Sequence, residues 1–116
     1  MGAVGPMTEA MYYILLTLMV PSHGYQLMSA VTQASRGRVL MGPGTLYGVL
    51  TRMETDRYIE IVSDDGRRKT YAITESGRAA LRAETDRLRA MLDDQENWRG
   101  AKGCLTESNG PKELTD

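Results

Sequence analysis

The sequence predicts a mainly α-helical fold with one small β-hairpin. In three successive stretches between about residues 8 and 55, apolar residues recur at the three- and four-residue spacing of helices. Two short stretches of alternating apolar and polar residues follow, joined by Asp64-Asp65-Gly66-Arg67. Asp-Gly between alternating stretches is a strong hairpin signal. At 116 residues the chain has the length of a single domain.

The first helix is predicted over residues 8–19 and is apolar on two sides. One side has the spacing of a buried face and consists of Met11, Ile14, Leu15 and Leu18. The other side consists of Tyr12, Leu16 and Met19. Because a small monomer offers a surface helix only one core, we interpret the second side as a contact with another subunit.

A second helix is predicted over residues 23–35, after the break at Pro21. Ser22 is its predicted N-cap, since a serine side chain can accept a hydrogen bond from the first turn. Gly37 is placed as its C-terminal stop, because glycine tolerates the left-handed conformation that follows many helices. The residues predicted to be buried are Leu27, Met28 and Val31.

After a short extended piece at residues 38–41, a third helix is predicted over residues 43–55. Proline is favoured at the first helical position, where its missing N–H would be unpaired anyway, so Pro43 marks the start. The predicted buried stripe consists of Leu46, Val49, Leu50 and Met53.

The hairpin strands are predicted at residues 58–63 and 69–73, and Thr74 is the predicted cap of a long fourth helix ending near Trp98. The apolar residues of this helix are sparse and near heptad spacing: Leu81, Leu88, Met91, Leu92 and Trp98. Such a stripe is typical of a helix that pairs with a partner. From residue 99 the sequence is polar and rich in glycine, and we expect it to be disordered.

Three helices, a hairpin and a long last helix follow one another in the order of a winged helix-turn-helix. The sequence therefore predicts a DNA-binding domain over residues 1–74, a dimerisation helix over residues 75–98 and a disordered tail over residues 99–116. This order also favours a dimer, because the long last helix has little else in the chain to lie against.

The distribution of charge favours a nucleic-acid partner, although the net charge is −1. Two stretches, residues 36–52 and 66–74, contain cations and no acid. Their cations are Arg36, Arg38 and Arg52 in the first and Arg67, Arg68 and Lys69 in the second. Affinity for DNA depends on the cations close to the phosphates rather than on the sum over the chain.

The third helix resembles the recognition-helix signature of the PadR family of transcriptional regulators. The motif is Gly42-Pro43-Gly44-Thr45-Leu46-Tyr47-Gly48-Val49-Leu50, supported by Ile14-Leu15-Leu16-Thr17-Leu18, His23-Gly24-Tyr25 and Arg67-Arg68-Lys69-Thr70-Tyr71-Ala72-Ile73-Thr74-Glu75-Ser76-Gly77. The resemblance covers residues 8–92 in consistent order. It implies a repressor that dimerises through its first and last helices and reads a palindromic operator. Some members are released from DNA by a small aromatic or hydrophobic compound bound near the dimer interface.

The expected dimer interface consists of Tyr12, Leu16, Met19, Leu81, Leu88, Met91, Leu92 and Trp98. Trp98 is the only tryptophan. The resemblance makes it a candidate for stacking on a flat effector, together with Tyr12 and Met11 of the first helix. Plain packing between subunits is the alternative, since tryptophan is common in interfaces.

The side chains of the third helix outside its buried stripe are available to the DNA major groove. They are Thr45, Tyr47, Gly48, Thr51 and Arg52. We expect the Tyr47 hydroxyl to contact phosphate rather than a base, with packing beneath the hairpin as the alternative. The hairpin cations Arg67, Arg68 and Lys69 suit neighbouring phosphates or the minor groove, and Arg38 completes the predicted DNA-binding set.

Enzymes and metalloproteins are disfavoured by the composition. The single His23 and the single Cys104 supply no nucleophile–base set and too few metal ligands, so we expect no catalysis, metal or cofactor. The longest apolar stretch, residues 11–20, is about half of a membrane span, and we expect a cytoplasmic protein without a membrane partner. Two alternatives stay open: a winged-helix adaptor that binds proteins, and a ligand sensor whose role at DNA is secondary.

Overall fold

The computed structural model describes residues 6–98 and confirms a mainly helical chain with a small antiparallel sheet. In chain order the elements are α1 (Glu9–Thr17), β1 (Ser22–His23), α2 (Gly24–Ala34), α3 (Pro43–Thr55), β2 (Ile59–Asp64), β3 (Lys69–Ile73) and α4 (Glu75–Asn97). The strands lie in the order β1-β3-β2. Within residues 6–98, no helix combines the length and the apolarity needed to cross a membrane. The predicted disordered tail lies outside the described residues.

The start of α2 corrects the prediction that Ser22 is its N-cap. Ser22 and His23 form β1, which pairs with Tyr71 and Thr70 of β3. Because this pairing holds both residues extended, the N-cap position falls to His23, whose side chain makes no capping hydrogen bond. The Ser22 hydroxyl instead donates to Oε1 of Gln26 at 3.3 Å.

The end of α2 depends on Gly37, although the helix itself stops at Ala34. Gly37 has a φ of +82°, a left-handed conformation that glycine adopts without a steric penalty. Its amide donates to the carbonyl oxygen of Thr32 at 2.8 Å. This bond satisfies one of the carbonyl groups that the end of a helix leaves unpaired.

The core is formed by α1, α2, α3, the sheet and the first part of α4. Its fully buried side chains are Ile14, Leu15, Leu18, Leu27, Val31, Leu46, Leu50, Met53 and Ile59. Three residues predicted to be buried, Met11, Met28 and Val49, are only partly buried and pack against the edge of this core. Residues at the centre of each predicted buried face are therefore fully buried, whereas residues at the edges of those faces are only partly buried.

The hairpin of β2 and β3, hereafter the wing, contains an irregularity that the alternating pattern did not predict. Ile61 pairs with Tyr71 and Ser63 pairs with Thr70, so Val62 is an extra residue in β2. Such a bulge bends the strand and increases its twist.

The first part of α4 belongs to the winged domain. The amide of Gly77 donates to Oγ1 of Thr74 at 2.9 Å, which confirms the predicted cap. Gly77 also lies directly against the backbone carbonyl of Tyr58, where a side chain would not fit. Leu81 is 8% exposed and packs in the core of its own chain, rather than on an exposed stripe as predicted. Of the described residues, the compact unit accordingly extends to Glu84, past the predicted boundary at residue 74, and residues 85–98 belong to a second unit.

Candidate nucleic-acid interface

Helix α3 and the wing line a common groove of about 840 Å³. Residues predicted from the sequence to contact DNA come from both sides of it: Tyr47 and Thr51 from α3, and Arg67, Arg68 and Lys69 from the wing. All five are exposed. The fold thus brings together two sets of residues that lie apart in the sequence.

Tyr47 is held in this groove by its contact with α2. Its ring occupies the space that a β-carbon on Gly24 would need, with Tyr47 Cζ only 2.7 Å from that position. The side chain is nevertheless 45% exposed. The hydroxyl end of the Tyr47 side chain therefore lies against the start of α2, and the exposed part of the ring lines the groove.

Thr51 lies one turn along α3 from Tyr47, and its hydroxyl is already engaged as a donor. It donates to the backbone carbonyl oxygen of Tyr47 at 2.9 Å. The Thr51 oxygen can still accept a hydrogen bond from outside the helix, and its methyl group can contact a thymine methyl.

The other three predicted residues of α3 lie along a second groove, of about 630 Å³, next to the start of α1. They are Thr45, Gly48 and Arg52. The Arg52 side chain is 80% exposed, and its Nε lies 3.9 Å from Oδ2 of Asp56. At Gly48 nothing lies within 4 Å of the position that a β-carbon would take, so the backbone of α3 is open to solvent there.

The wing turn is built by the two acids that precede Gly66. The amide of Gly66 donates to Oδ1 of Asp64 at 2.9 Å. Oδ1 of Asp65 accepts from the amides of Arg67 and Arg68, at 3.0 and 2.8 Å. These hydrogen bonds lower the pKa of the Asp65 carboxyl. Asp65-Gly66 predicted the hairpin from the sequence, but the hydrogen bonds from the turn amides to both carboxylates were not predicted.

Arg38 differs from the other predicted DNA contacts because it lines neither groove. Its Nη2 pairs with Oε2 of Glu9 at 2.8 Å, and both side chains are mostly exposed. The hydrogen bond and the charge of Glu9 raise the pKa of Arg38. The pair uses only Nη2, so the other guanidinium nitrogens of Arg38 can still donate to a phosphate, although the negative charge of Glu9 lies beside them.

Two residues that the sequence analysis did not assign to DNA also line the groove of α3 and the wing. His23 and Tyr25 lie at the start of α2, and the Tyr25 side chain is 76% exposed. The motif His23-Gly24-Tyr25 supported the family resemblance. Helical periodicity identifies only the buried positions of a helix, so it could not indicate a role for the exposed Tyr25. Tyr71 forms the buried base of the groove, and burial is the main cause of its raised pKa.

The residues predicted for a dimer interface are exposed or half-buried, apart from Leu81. Leu16 of α1 is exposed, and so is Met19, which the sequence placed in the first helix but which lies beyond the end of α1 at Thr17. Tyr12 packs edge-to-face on Tyr13 with ring centroids 5.6 Å apart. In the second unit, Leu88, Met91, Leu92 and Trp98 are exposed. Each unit thus presents apolar side chains to solvent.

Comparison with known proteins identifies the kind of protein to which this chain is similar. The model of the transcriptional regulator PadR-like family matches residues 14–83. The transcriptional regulator YqjI of Escherichia coli K12 is 26% identical over 95 residues, which cover 82% of this chain and 45% of YqjI. An uncharacterized 37.1 kDa protein in transposon TN4556 of Streptomyces fradiae is 38% identical over 64 residues, 55% of this chain and 18% of that protein. The chain therefore spans less than half the length of either relative.

A crystal structure of a PadR family transcriptional regulator from Eggerthella lenta has the same fold. The two structures match with a TM-score of 0.65 and 23% identity, over 75% of this chain and 78% of the other. This likeness supports the winged helix-turn-helix class predicted from the sequence.

Proposed function

Because the chain belongs to the PadR-like family of transcriptional regulators, we propose that it represses transcription by binding a palindromic operator in double-stranded DNA as a homodimer. The family consists of regulators rather than enzymes, as the sequence predicted. The observation that carries the proposal is the groove in which α3 residues face the three wing cations.

In the proposed complex, α3 enters the major groove and the wing follows the neighbouring backbone. Thr45 and Thr51 are placed to meet base edges, and Arg52 can donate two hydrogen bonds to a guanine. Tyr47, Arg67 and Arg68 contact phosphates, which position the protein without reading sequence. Because Asp65 directs its carboxylate to the amides of the wing turn, its charge is partly neutralised beside these cations.

The proposed homodimer uses the exposed apolar residues of α1 and α4. The residues at the surface of the chain are Leu16 of α1, Met19 just after α1, and Leu88, Met91 and Leu92 of α4. An isolated exposed leucine needs no explanation, but several on one helix favour a partner surface. A two-fold dimer would present two copies of α3 to two half-sites, which explains a palindromic operator.

On the family resemblance, a small aromatic or hydrophobic effector would release the repressor from DNA. Trp98, Tyr12 and Met11 remain the candidate residues at the dimer interface, and Trp98 is 63% exposed. Quenching of the Trp98 fluorescence by a planar compound would support this role. If no planar compound quenches the Trp98 fluorescence, packing between subunits is the role that remains for this side chain.

The experiment that tests the proposed function is a titration of the purified protein with the DNA upstream of its own gene, at several salt concentrations. A shuffled duplex of the same length and composition is the control. We expect binding at least about 1,000-fold tighter than to the control, with a steep loss of affinity as salt increases. Equal, weak binding to both duplexes would contradict the proposal and favour the protein-binding adaptor.

A further inference from the structure

The second groove of the winged domain is separate from the wing and combines an apolar floor with a charged rim. Its volume of about 630 Å³ is in the range of small-molecule sites. The floor is formed by Met7, Met11, Val49 and Tyr58, and Arg52 and Asp56 stand at the rim. Met7, Met11, Val49 and Tyr58 are each only partly buried, so apolar surface remains open to a ligand.

The charged rim is suited to a ligand that carries both a negative and a positive group. Arg52 and Asp56 lie one turn apart at the end of α3, with Nε of Arg52 and Oδ2 of Asp56 separated by 3.9 Å. Because this contact is long and uses Nε, the two terminal nitrogens of Arg52 are available to donate two hydrogen bonds to the carboxylate of a ligand. The Asp56 carboxylate can accept from an ammonium group beside it. Because exposed ion pairs contribute little to stability, a ligand can separate this pair at small cost.

We propose that this groove binds a zwitterionic α-amino acid with a large apolar side chain. The carboxylate of the ligand pairs with Arg52, its ammonium group pairs with Asp56, and its side chain lies on the Met7, Met11 and Val49 surface. Methionine adapts its shape to an apolar or aromatic group, which suits a site that takes a class of side chains. The site belongs to a single chain and does not involve Trp98.

A bound amino acid would act on the DNA-binding helix directly. Arg52, Thr45 and Gly48 line this groove and also belong to the proposed DNA surface of α3. Occupying the groove would divert Arg52 and cover this flank of α3, so the amino acid and the operator would compete. This consequence rests on the proposed function, whereas binding of the amino acid does not.

The test begins with calorimetric titration of L-phenylalanine into the protein without DNA. Two analogues separate the charges of the ligand: 3-phenylpropanoate lacks the ammonium group, and L-phenylalaninamide lacks the carboxylate. We expect each analogue to bind several-fold more weakly than L-phenylalanine, because each loses one ion pair at a rim where the Arg52 and Asp56 side chains are 80% and 45% exposed. Equal or tighter binding of 3-phenylpropanoate would overturn the proposal in favour of a site for simple acids, and no binding of L-phenylalanine would overturn it outright.

Variants of the chain then locate the site. Arg52→Gln and Asp56→Asn are each expected to weaken L-phenylalanine binding several-fold, since each removes one charge of the exposed rim. Arg78→Gln is the matched control, because Arg78 is exposed on α4 and lies outside the groove. Binding that survives both rim variants would overturn the proposed site. If L-phenylalanine binds as expected but the operator titration fails, the proposed function fails and the binding site stands.

Discussion

The ring of Tyr47 in α3 lies against Gly24, the first residue of α2, in the space that a side chain at position 24 would occupy. This contact couples the start of one helix to an exposed face of the next. A β-carbon at position 24 would require the Tyr47 side chain to move, so the contact sets the direction in which Tyr47 faces the groove of the wing.

Replacing Gly24 by alanine should therefore displace Tyr47. We expect Gly24→Ala to lower the free energy of unfolding by about 1–3 kcal/mol, the usual cost of overpacking a tight contact. Urea unfolding followed by circular dichroism measures this loss. The double variant Gly24→Ala/Tyr47→Ala should lose less than the sum of the two single variants, because it has no ring to displace. Additive losses would contradict a direct contact.

Gly48 should show the opposite effect on stability. It lies in the interior of α3 with open space at its β-carbon position. Gly48→Ala should raise the free energy of unfolding by about 0.5–1 kcal/mol, since glycine is less favourable than alanine inside a helix. If the DNA backbone approaches α3 closely at this point, the same variant should weaken operator binding. A more stable protein with unchanged operator affinity would place Gly48 away from the DNA.

The wing cations should determine part of the salt dependence of DNA binding. We expect Arg67→Ala/Arg68→Ala to weaken binding to operator and shuffled DNA alike. It should also reduce the slope of log affinity against log salt by about 2, one for each lost phosphate contact. The matched control is Arg78→Ala/Arg82→Ala, which removes the same charge from exposed positions of α4. An equal change in slope for both variants would exclude a specific role for the wing.

Acid should loosen the wing turn before it unfolds the domain. The pKa of Asp65 is lowered because its carboxylate accepts the amides of Arg67 and Arg68. A carboxyl whose pKa is lower in the folded state stabilises that state above its unfolded pKa of about 4, and the stabilisation is lost as pH falls through the folded pKa. The exchange rates of the Arg67 and Arg68 amides, measured by NMR and divided by the intrinsic exchange rate at each pH, should therefore accelerate below about pH 4. In Asp65→Asn this acceleration should disappear, and an unchanged pH profile in that variant would assign it to another group.

Two leucines of α4 should respond differently to substitution. Leu81 is buried in the core, so Leu81→Ala should lower the free energy of unfolding by about 2–5 kcal/mol. Leu92 is exposed in the second unit, so Leu92→Ser should leave the winged domain folded and shift the protein from dimer to monomer in sedimentation experiments. A Leu92→Ser protein that remains dimeric would contradict the proposed role of the exposed α4 residues.

Local signals in the sequence were sufficient to predict every helix and strand of the fold except β1. Pro43 gave the start of α3 and Thr74 the cap of α4, because both act through bonds to residues within one turn. The wing followed from Asp-Gly between two alternating stretches, and the structure places β3 at the residues predicted. The family resemblance rested on the same segments, which is why fold class and family were both confirmed.

The features that the sequence did not predict depend on contacts between residues that lie far apart in the chain. Strand β1 exists because Ser22 and His23 pair with Tyr71 and Thr70, and no pattern within two residues can encode a partner so far along the chain. The same applies to Leu81, whose heptad spacing indicated a partner helix although the core of its own chain buries it.

By itself, the sequence determined where α3, α4 and the strands of the wing begin to within a residue, which helical faces are apolar and where the cations cluster, because these properties depend on neighbours within a few residues. The tertiary structure alone decided that Tyr47 packs on Gly24, that Tyr25 joins the groove of the wing, and that Arg38 pairs with Glu9. The physical reason is that side-chain packing and ion pairing depend on distances set by the whole fold, while helix caps and turns depend on the local backbone.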